Sequence, residues 1–113
     1  MEIVDLQEQI RLFAEERDWG QFHSIRNVLL ALVGEVGELA ESVQWRGEIT
    51  IETLAADAEL RSAFEQELAD VLIYTLRLAD VAAINVVDAV GSKMRLNAEK
   101  YPTEEVRGSA QKR

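Results

Sequence analysis

The sequence predicts an all-α protein, a four-helix bundle, on three observations. Apolar residues recur at intervals of three and four along almost the whole chain, which is the spacing of an amphipathic helix. The chain contains a single proline, Pro102, so few positions interrupt a helix. Strand-like alternation of apolar and polar residues is absent from the sequence. Four helices joined by short connections are the simplest arrangement that closes an apolar core in this class.

The first two helices have clear start and stop signals. The first is predicted over residues 3–17, and it ends before the turn at Trp19 and Gly20. Ser24 is suited to be the N-cap of the second helix, because a serine side chain accepts a hydrogen bond from a free backbone N–H. The C-terminal cap of this helix is expected at Gly47.

The middle of the chain is predicted to lead into a long third helix. Thr50 is suited to cap one short helical turn, and the alanine-rich segment after it leads directly into the next helix. That third helix is predicted over residues 61–82, where apolar residues keep helical spacing without a breaker.

The fourth helix is predicted to begin after the N-cap Asn85 and to run to residue 100. It ends before Pro102, because the residue before a proline disfavours helix. We therefore expect one helical domain over residues 1–102 and a polar C-terminal tail over residues 103–113.

The composition describes one acidic domain. A length of 113 residues is the usual size of a single domain. The net charge of −9 argues against polymeric nucleic acid and membranes as partners, although carboxylates that bind divalent cations would still admit a small phosphate ligand. The absence of cysteine excludes a disulfide scaffold and a cysteine nucleophile. We expect a cytoplasmic protein, because the N-terminus is unlike a signal peptide and no apolar run could span a bilayer.

Two pairs of acidic residues repeat one spacing on neighbouring predicted helices. Glu35 and Glu38 lie three residues apart in the second helix, and Glu67 and Asp70 do so in the third. Residues three apart share a helix face, and apolar neighbours flank both pairs, so we expect the carboxylates near the bundle interior. Burial of like charges is costly unless something offsets it. Carboxylates, water and substrate phosphate are the ligands of Mg²⁺, so the four acids predict a magnesium site for a phosphorylated substrate.

Two glycines and one histidine bear on this interpretation. Gly34 and Gly37 lower the stability of the second helix by roughly 0.5–1 kcal/mol each relative to alanine, and such glycines often permit a helix or ligand to approach closely. The alternative to a magnesium site is that the four acidic residues lie on a solvated helix face. A di-iron centre is disfavoured, because it needs two E-x-x-H motifs and the chain has one histidine, His23, outside both pairs.

Polar residues of the third and fourth helices are candidates for substrate contacts. Lys93, Asn97 and Lys100 form one stripe that either reaches phosphate oxygens or faces solvent. Tyr74 lies one turn after Asp70, where its hydroxyl could bind a ligand or its ring could pack.

Aromatic residues stand at both ends of the second helix. Trp19, Phe22 and His23 precede it, and Trp45 follows it. Flat side chains of this kind stack on nucleobases, although a core or interface role is the alternative for each of them.

The spacing of the acids resembles the E-x-x-E…E-x-x-D signature of the all-α MazG-like nucleoside triphosphate pyrophosphohydrolases. The similarity is greatest to the dCTP pyrophosphatase branch, and it omits the first few residues, residues 47–66 and the tail. The segments that carry it are Glu16-Arg17-Asp18-Trp19, Gln21-Phe22-His23, Arg26-Asn27, residues 30–41, Gln44-Trp45, residues 67–74, and Ser92-Lys93-Met94 with Asn97 and Tyr101-Pro102.

The resemblance implies the MazG type of bundle and a specific reaction. A nucleoside triphosphate would be hydrolysed between its α and β phosphates to a monophosphate and pyrophosphate, a role in cleansing nucleotide pools. Glu35, Glu38, Glu67 and Asp70 would hold Mg²⁺, and water would attack the α-phosphorus with the help of Glu38. Proteins of this family form homodimers or homotetramers, which suits a small core.

The resemblance also implies the substrate contacts. The matching positions are Lys93 and Asn97 for the nucleotide, Trp19, Trp45 and Tyr74 for the base and sugar pocket, and His23 beside them. The preferred substrate would be dCTP, with dATP or non-standard nucleotides as alternatives, since discrimination needs hydrogen bonds to the base edge. Two further alternatives are a non-catalytic helical binding module and an acidic structural bundle.

Overall fold

The computed structural model describes residues 1–112, and this part of the chain contains helices and loops but no strand. The predicted all-α class is confirmed. In chain order, the helices are α1 (Ile3–Glu16), α2 (Ile25–Glu41), α3 (Ile51–Ala56), α4 (Ala58–Val81), α5 (Val86–Lys100) and α6 (Thr103–Val106), with a 3₁₀ turn at Gly20–Phe22. Four of them, α1, α2, α4 and α5, are the long helices that the sequence predicts.

Three predicted N-caps are confirmed. The side-chain oxygens of Ser24, Thr50 and Asn85 accept backbone N–H groups of the first turn of α2, α3 and α5 at 3.0–3.1 Å. Each of these bonds satisfies a backbone donor that has no partner within its helix.

Two boundaries differ from the sequence prediction. Gly47 is not the C-cap of α2, because the helix ends at Glu41 and the Ser42 hydroxyl donates to the Leu39 carbonyl at 2.6 Å, which competes with further helix. Helix α4 begins at Ala58 rather than at residue 61, because the Asp57 carboxylate caps it by accepting the Leu60 N–H.

The chain divides into two compact units, Met1–Ala83 and a second that begins at Ile84. In the first unit, α4 is the central helix, and α1, α2 and α3 all pack against it. The buried hydrophobic residues belong to α1, α2 and α4; they are Ala14, Val28, Leu60, Leu76 and Ala79. The second unit contains α5 and α6. Among the described residues, no helix combines the length and the apolar character needed to span a bilayer.

Polar contacts join α1 to α4 within the first unit. The Arg11 guanidinium donates to both oxygens of Asp80 at 3.1 and 3.2 Å, and the Gln7 amide donates to the Leu76 carbonyl. Helix α4 ends at Val81, and Ala83 then adopts a left-handed conformation with φ of 55°. A residue with a Cβ is strained in this backbone conformation.

Candidate functional site

The packing of α2 against α4 brings acidic residues of the two helices together. One carboxylate oxygen from each of Glu35, Glu38 and Glu67 lies within 4.8 Å of the other two. Glu35 and Glu38 share one face of α2 because they are three residues apart, and Glu67 meets them from α4. The three residues offer hard oxygen ligands at the separation that a divalent cation bridges.

Two oxygens of this cluster are buried without a protein partner. Oε2 of Glu35 and Oε2 of Glu67 are inaccessible to solvent and accept no hydrogen bond from the described residues. An unsatisfied buried carboxylate oxygen costs free energy, so such atoms call for a ligand. A divalent cation fits this donor set, because it would neutralise the charge and use the free lone pairs. The acidic residues present are therefore suited to hold a metal ion.

The cluster also changes the proton affinity of its members. Burial raises the pKa of Glu35 to about 7, with further contributions from Glu38 and the other two acids. Burial and the neighbouring carboxylates raise the pKa of Glu67 as well. Without a cation the cluster therefore retains protons at a pH where an isolated carboxyl group is ionised. A bound cation would replace those protons.

Asp70 connects the acidic cluster to a neighbouring pocket. Its negative charge contributes to the raised pKa of Glu35 and of Glu67, which places it in their electrostatic environment. It also lines a pocket of about 460 Å³ formed by α1, the loop after it and α4. The residues lining the pocket are Leu6, Gln9, Ile10, Phe13, Ala14, Trp19, His23, Asp70, Ile73, Tyr74 and Arg77. Asp70 therefore lies both close enough to the acidic cluster to act on its charge and in the wall of the pocket.

The structure brings four of the predicted site residues to this pocket: Trp19, His23, Asp70 and Tyr74. The sequence did not indicate the apolar wall that α1 contributes with Leu6, Ile10 and Phe13. A tightly held turn positions Trp19, whose backbone N–H donates to the Ala14 carbonyl at 2.9 Å. Its ring meets Phe13 edge to face, with centroids 5.7 Å apart. This is a favourable arrangement of aromatic rings.

A buried arginine holds His23. The Nε–H of Arg77 donates to His23 Nδ1 at 2.9 Å, and Arg77 is only 8% exposed. Burial, together with the positive charge of Arg77, lowers the pKa of His23. Arg77 is not among the site residues predicted from the sequence, although the sequence carries a signal for it. Asp70, Tyr74 and Arg77 follow the i, i+4, i+7 spacing that puts them on one face of α4.

Three predicted contact residues lie outside this pocket or outside the first unit. Trp45 is 89% exposed in the turns after α2, and it is not among the residues that line the pocket. Lys93 and Asn97 are one turn apart on α5, which belongs to the second unit, and their contact with a nucleotide stays a prediction. A Cβ added at Gly34 or Gly37 would meet no atom within 4 Å apart from its chain neighbours and the backbone of its own helix. Packing within the described chain therefore does not require either glycine.

Residues 31–113 match the MazG-like family. The chain is 51% identical over 98 residues to the dCTP pyrophosphatase 1 of Mus musculus, and 48% identical over 100 residues to that of Homo sapiens. These alignments cover 87% and 88% of this chain, but it spans only 58% and 59% of those relatives.

A solved structure supports the same relationship. The crystal structure of a pyrophosphatase from Archaeoglobus fulgidus matches with a TM-score of 0.76 and 39% sequence identity. The match covers 87% of this chain and 90% of that one, which agrees with a MazG-like helical fold.

Proposed function

Because the chain belongs to the MazG-like family, we propose that it hydrolyses nucleoside triphosphates to nucleoside monophosphates and pyrophosphate, with dCTP as the preferred substrate. The observation that carries this proposal is the acidic cluster between α2 and α4, with its two buried oxygens that lack a protein partner. The names of the relatives support the substrate class, although this chain spans little more than half of their length.

The proposed reaction breaks the bond between the α-phosphorus and the oxygen that bridges to the β-phosphorus. A water oxygen forms a bond to the α-phosphorus, and the bridging oxygen leaves with pyrophosphate. The proton that the water loses passes to a carboxylate, for which Glu38 is our choice because it is an exposed member of the cluster. Removal of triphosphates in this way would serve to cleanse or balance a nucleotide pool.

The metal ion in this proposal is Mg²⁺. Glu35, Glu38 and Glu67 would hold it, and Asp70 would complete the set from the side of the pocket. When bound, the ion would polarise the phosphate and lower the pKa of a coordinated water. The chain itself contributes the fixed positions of these carboxylates and the exclusion of solvent from two of their oxygens.

The pocket beside Asp70 is the proposed site of the nucleoside. Trp19 and Tyr74 provide aromatic surface, and α1 provides an apolar wall. Lys93, Asn97 and Trp45 are proposed to contact the nucleotide because they match the family pattern in sequence. A pocket lined by aromatic rings accepts many bases by stacking, so preference among bases depends on hydrogen bonds at the base edge.

A product-resolved assay tests the reaction. Purified protein with Mg²⁺ and dCTP should release dCMP and pyrophosphate, and the activity should disappear in EDTA. Glu38→Gln should reduce turnover by about 10²–10⁴-fold, since it removes the proton acceptor and keeps the shape. Glu41→Gln, an exposed acid of the same helix outside the cluster, is the matched control and should retain activity. Release of dCDP and orthophosphate would contradict the proposed bond, and full activity of Glu38→Gln would contradict the role of Glu38.

A substrate screen decides the base preference. The same assay with the common and modified nucleoside triphosphates should give the highest kcat/KM with dCTP. A higher value with dATP or a non-standard nucleotide would identify that nucleotide as the preferred substrate and would not contradict the proposed bond cleavage. Stabilisation by nucleotide and Mg²⁺ without turnover would identify a binding module instead.

We also propose that the chain self-associates as a homodimer or homotetramer. Only five hydrophobic residues are buried, whereas 21 large hydrophobic side chains are at least 42% exposed among the described residues. Four of these form one stripe along α2, at Ile25, Leu29, Val33 and Val36. An apolar stripe of this length on a helix is typical of an interface. A second copy of the chain is the occupant that the MazG-like resemblance favours.

Light scattering after size exclusion tests the association. The wild-type chain should have a mass two or four times the 12.7 kDa of one chain. The double variant Leu29→Glu, Val33→Glu should shift the mass toward the monomer, because it places charges on the stripe. Ile51→Glu, at an exposed apolar position of α3, should leave the mass unchanged. A monomeric wild type would contradict the proposal.

A further inference from the structure

Arg77 and the groups around it form a polar chain within the first unit that the proposed reaction does not use. Arg77 donates from Nε to His23 Nδ1 at 2.9 Å and from Nη1 to Asp80 at 3.3 Å. Asp80 also accepts two bonds from Arg11, which anchors it to α1. His23, in the loop before α2, is therefore tied through α4 to α1.

The hydrogen bond that Arg77 donates to His23 Nδ1 determines which ring nitrogen of the imidazole carries the hydrogen. A guanidinium has donors and no acceptor, and it stays protonated at any pH relevant here. A hydrogen bond from Arg77 Nε–H to Nδ1 requires a lone pair on Nδ1. The ring is therefore neutral, with its hydrogen on Nε2. Among the described residues, no protein group is hydrogen-bonded to Nε2, so this donor is available to a ligand.

The surroundings of Arg77 make this arrangement rigid. The side chain of Arg77 is 9% exposed, so solvent competes little for its donors. Burial of a guanidinium is costly unless it is paired, and Asp80 supplies the opposite charge. Because Arg11 pairs with Asp80 from the other side, Asp80 is held in place to orient Arg77. An oriented arginine fixes the imidazole ring in turn.

We propose that Arg77 is a positioning residue, which holds His23 as the neutral tautomer with hydrogen on Nε2, so that His23 donates a hydrogen bond to the nucleotide bound in the pocket. His23 and Arg77 both line that pocket, and the assignment of its ligand rests on the proposed function. The group recognised is a hydrogen-bond acceptor, such as a ring nitrogen or a carbonyl oxygen of the base. A base that presented only a donor at this point would be rejected, because Nε2–H would lose its partner.

The tautomer can be observed directly, because His23 is the only histidine of the chain. Long-range ¹H–¹⁵N correlation spectra of the ¹⁵N-labelled protein at neutral pH report which ring nitrogen carries the hydrogen. The wild type should show the Nε2–H tautomer alone. Arg77→Met, which keeps an apolar stem and removes the donors, should show a mixture of tautomers. Arg61→Met is the matched control: it removes an arginine of the same helix that pairs with Glu65 and does not contact His23, so the spectrum should stay that of the wild type.

Kinetics then separates positioning from a purely structural role. Arg77→Met should raise the KM for dCTP about three- to tenfold, the value of one hydrogen bond, with a smaller change in kcat. In a His23→Ala background the same substitution should change KM no further, because Arg77 acts through His23. A wild-type spectrum with hydrogen on Nδ1, or a protonated ring, would overturn the proposal even if Arg77→Met does not fold. Additive effects on KM would overturn it as well. The spectrum needs no turnover, so a failure of the proposed reaction would be seen separately.

Discussion

Replacement of Glu35 by glutamine is expected to stabilise the metal-free protein at about pH 8. Burial and the neighbouring acids raise the pKa of Glu35 from 4.5 to about 7, so its ionised form is disfavoured in the folded state. Because the folded protein holds this proton more tightly than the unfolded chain, the associated stability is fully present below about pH 4.5. It is lost as the pH rises through about 7. Glutamine removes the charge and keeps the size of the side chain.

The expected gain follows from the size of the shift. A carboxyl group with a pKa raised from 4.5 to about 7 lowers the stability of the ionised folded protein by up to about 3 kcal/mol. Glu35 retains some contact with solvent, so we expect a gain of about 1–3 kcal/mol from Glu35→Gln. At about pH 5 the difference from the wild type should be much smaller, since Glu35 is then mostly protonated.

Urea unfolding in EDTA, followed by circular dichroism, measures this effect at both pH values. Glu41→Gln is the control, and its unfolding free energy should stay within about 0.5 kcal/mol of the wild type. Addition of Mg²⁺ should reverse the order, because the wild type gains stability by binding the ion and the variant gains less. Equal destabilisation of Glu35→Gln at both pH values would refute the reasoning, since it would show that Glu35 contributes packing rather than unfavourable charge.

Three further predictions concern the scaffold, and thermal or urea unfolding checks each of them. Ala83→Gly should stabilise the protein by about 0.5–1 kcal/mol, because glycine relieves the left-handed backbone at φ of 55°; a loss of stability would show that the turn is not strained. Asn85→Ala should cost about 1 kcal/mol by removing the cap on the Asp88 N–H, whereas Asn85→Ser should cost less. Leu60→Ala should cost about 2–5 kcal/mol, since Leu60 is 4% exposed and truncation leaves a cavity; a loss below 1 kcal/mol would mean that the core collapses around it.

The sequence predicts those parts of the fold that depend on local interactions. Ser24, Thr50 and Asn85 cap helices as expected, because a cap needs only a polar side chain three residues before its donor. The C-cap of α2 expected at Gly47 is wrong, since the helix ends at Glu41 and its C-cap is Ser42. The Ser42 hydroxyl donates to the Leu39 carbonyl in the preceding turn, and this bond competes with further helix. A serine within a helical pattern is a weaker stop signal in the sequence than a glycine.

The candidate site is only partly readable from the sequence. Spacing alone puts Glu35 beside Glu38, and the packing of α2 on α4 then adds Glu67. The wall from α1 and the contact between Arg77 and His23 join residues far apart in the chain. Such contacts depend on tertiary packing, which no local pattern encodes. The 89% exposure of Trp45 is likewise a property of the turn that carries it.

The single helix α4 carries several residues of the candidate site, and this restricts where insertions and deletions in the chain can be tolerated. Glu67, Asp70, Tyr74 and Arg77 lie along one continuous helix, and ten residues of rise separate the first from the last by roughly 15 Å. One inserted residue between them would rotate the residues after it by about 100° around the helix axis. The acidic residues and Arg77, which holds His23, would then no longer face the same ligand. Insertions and deletions should therefore accumulate in the loop between α2 and α3, where the register of α4 is unaffected.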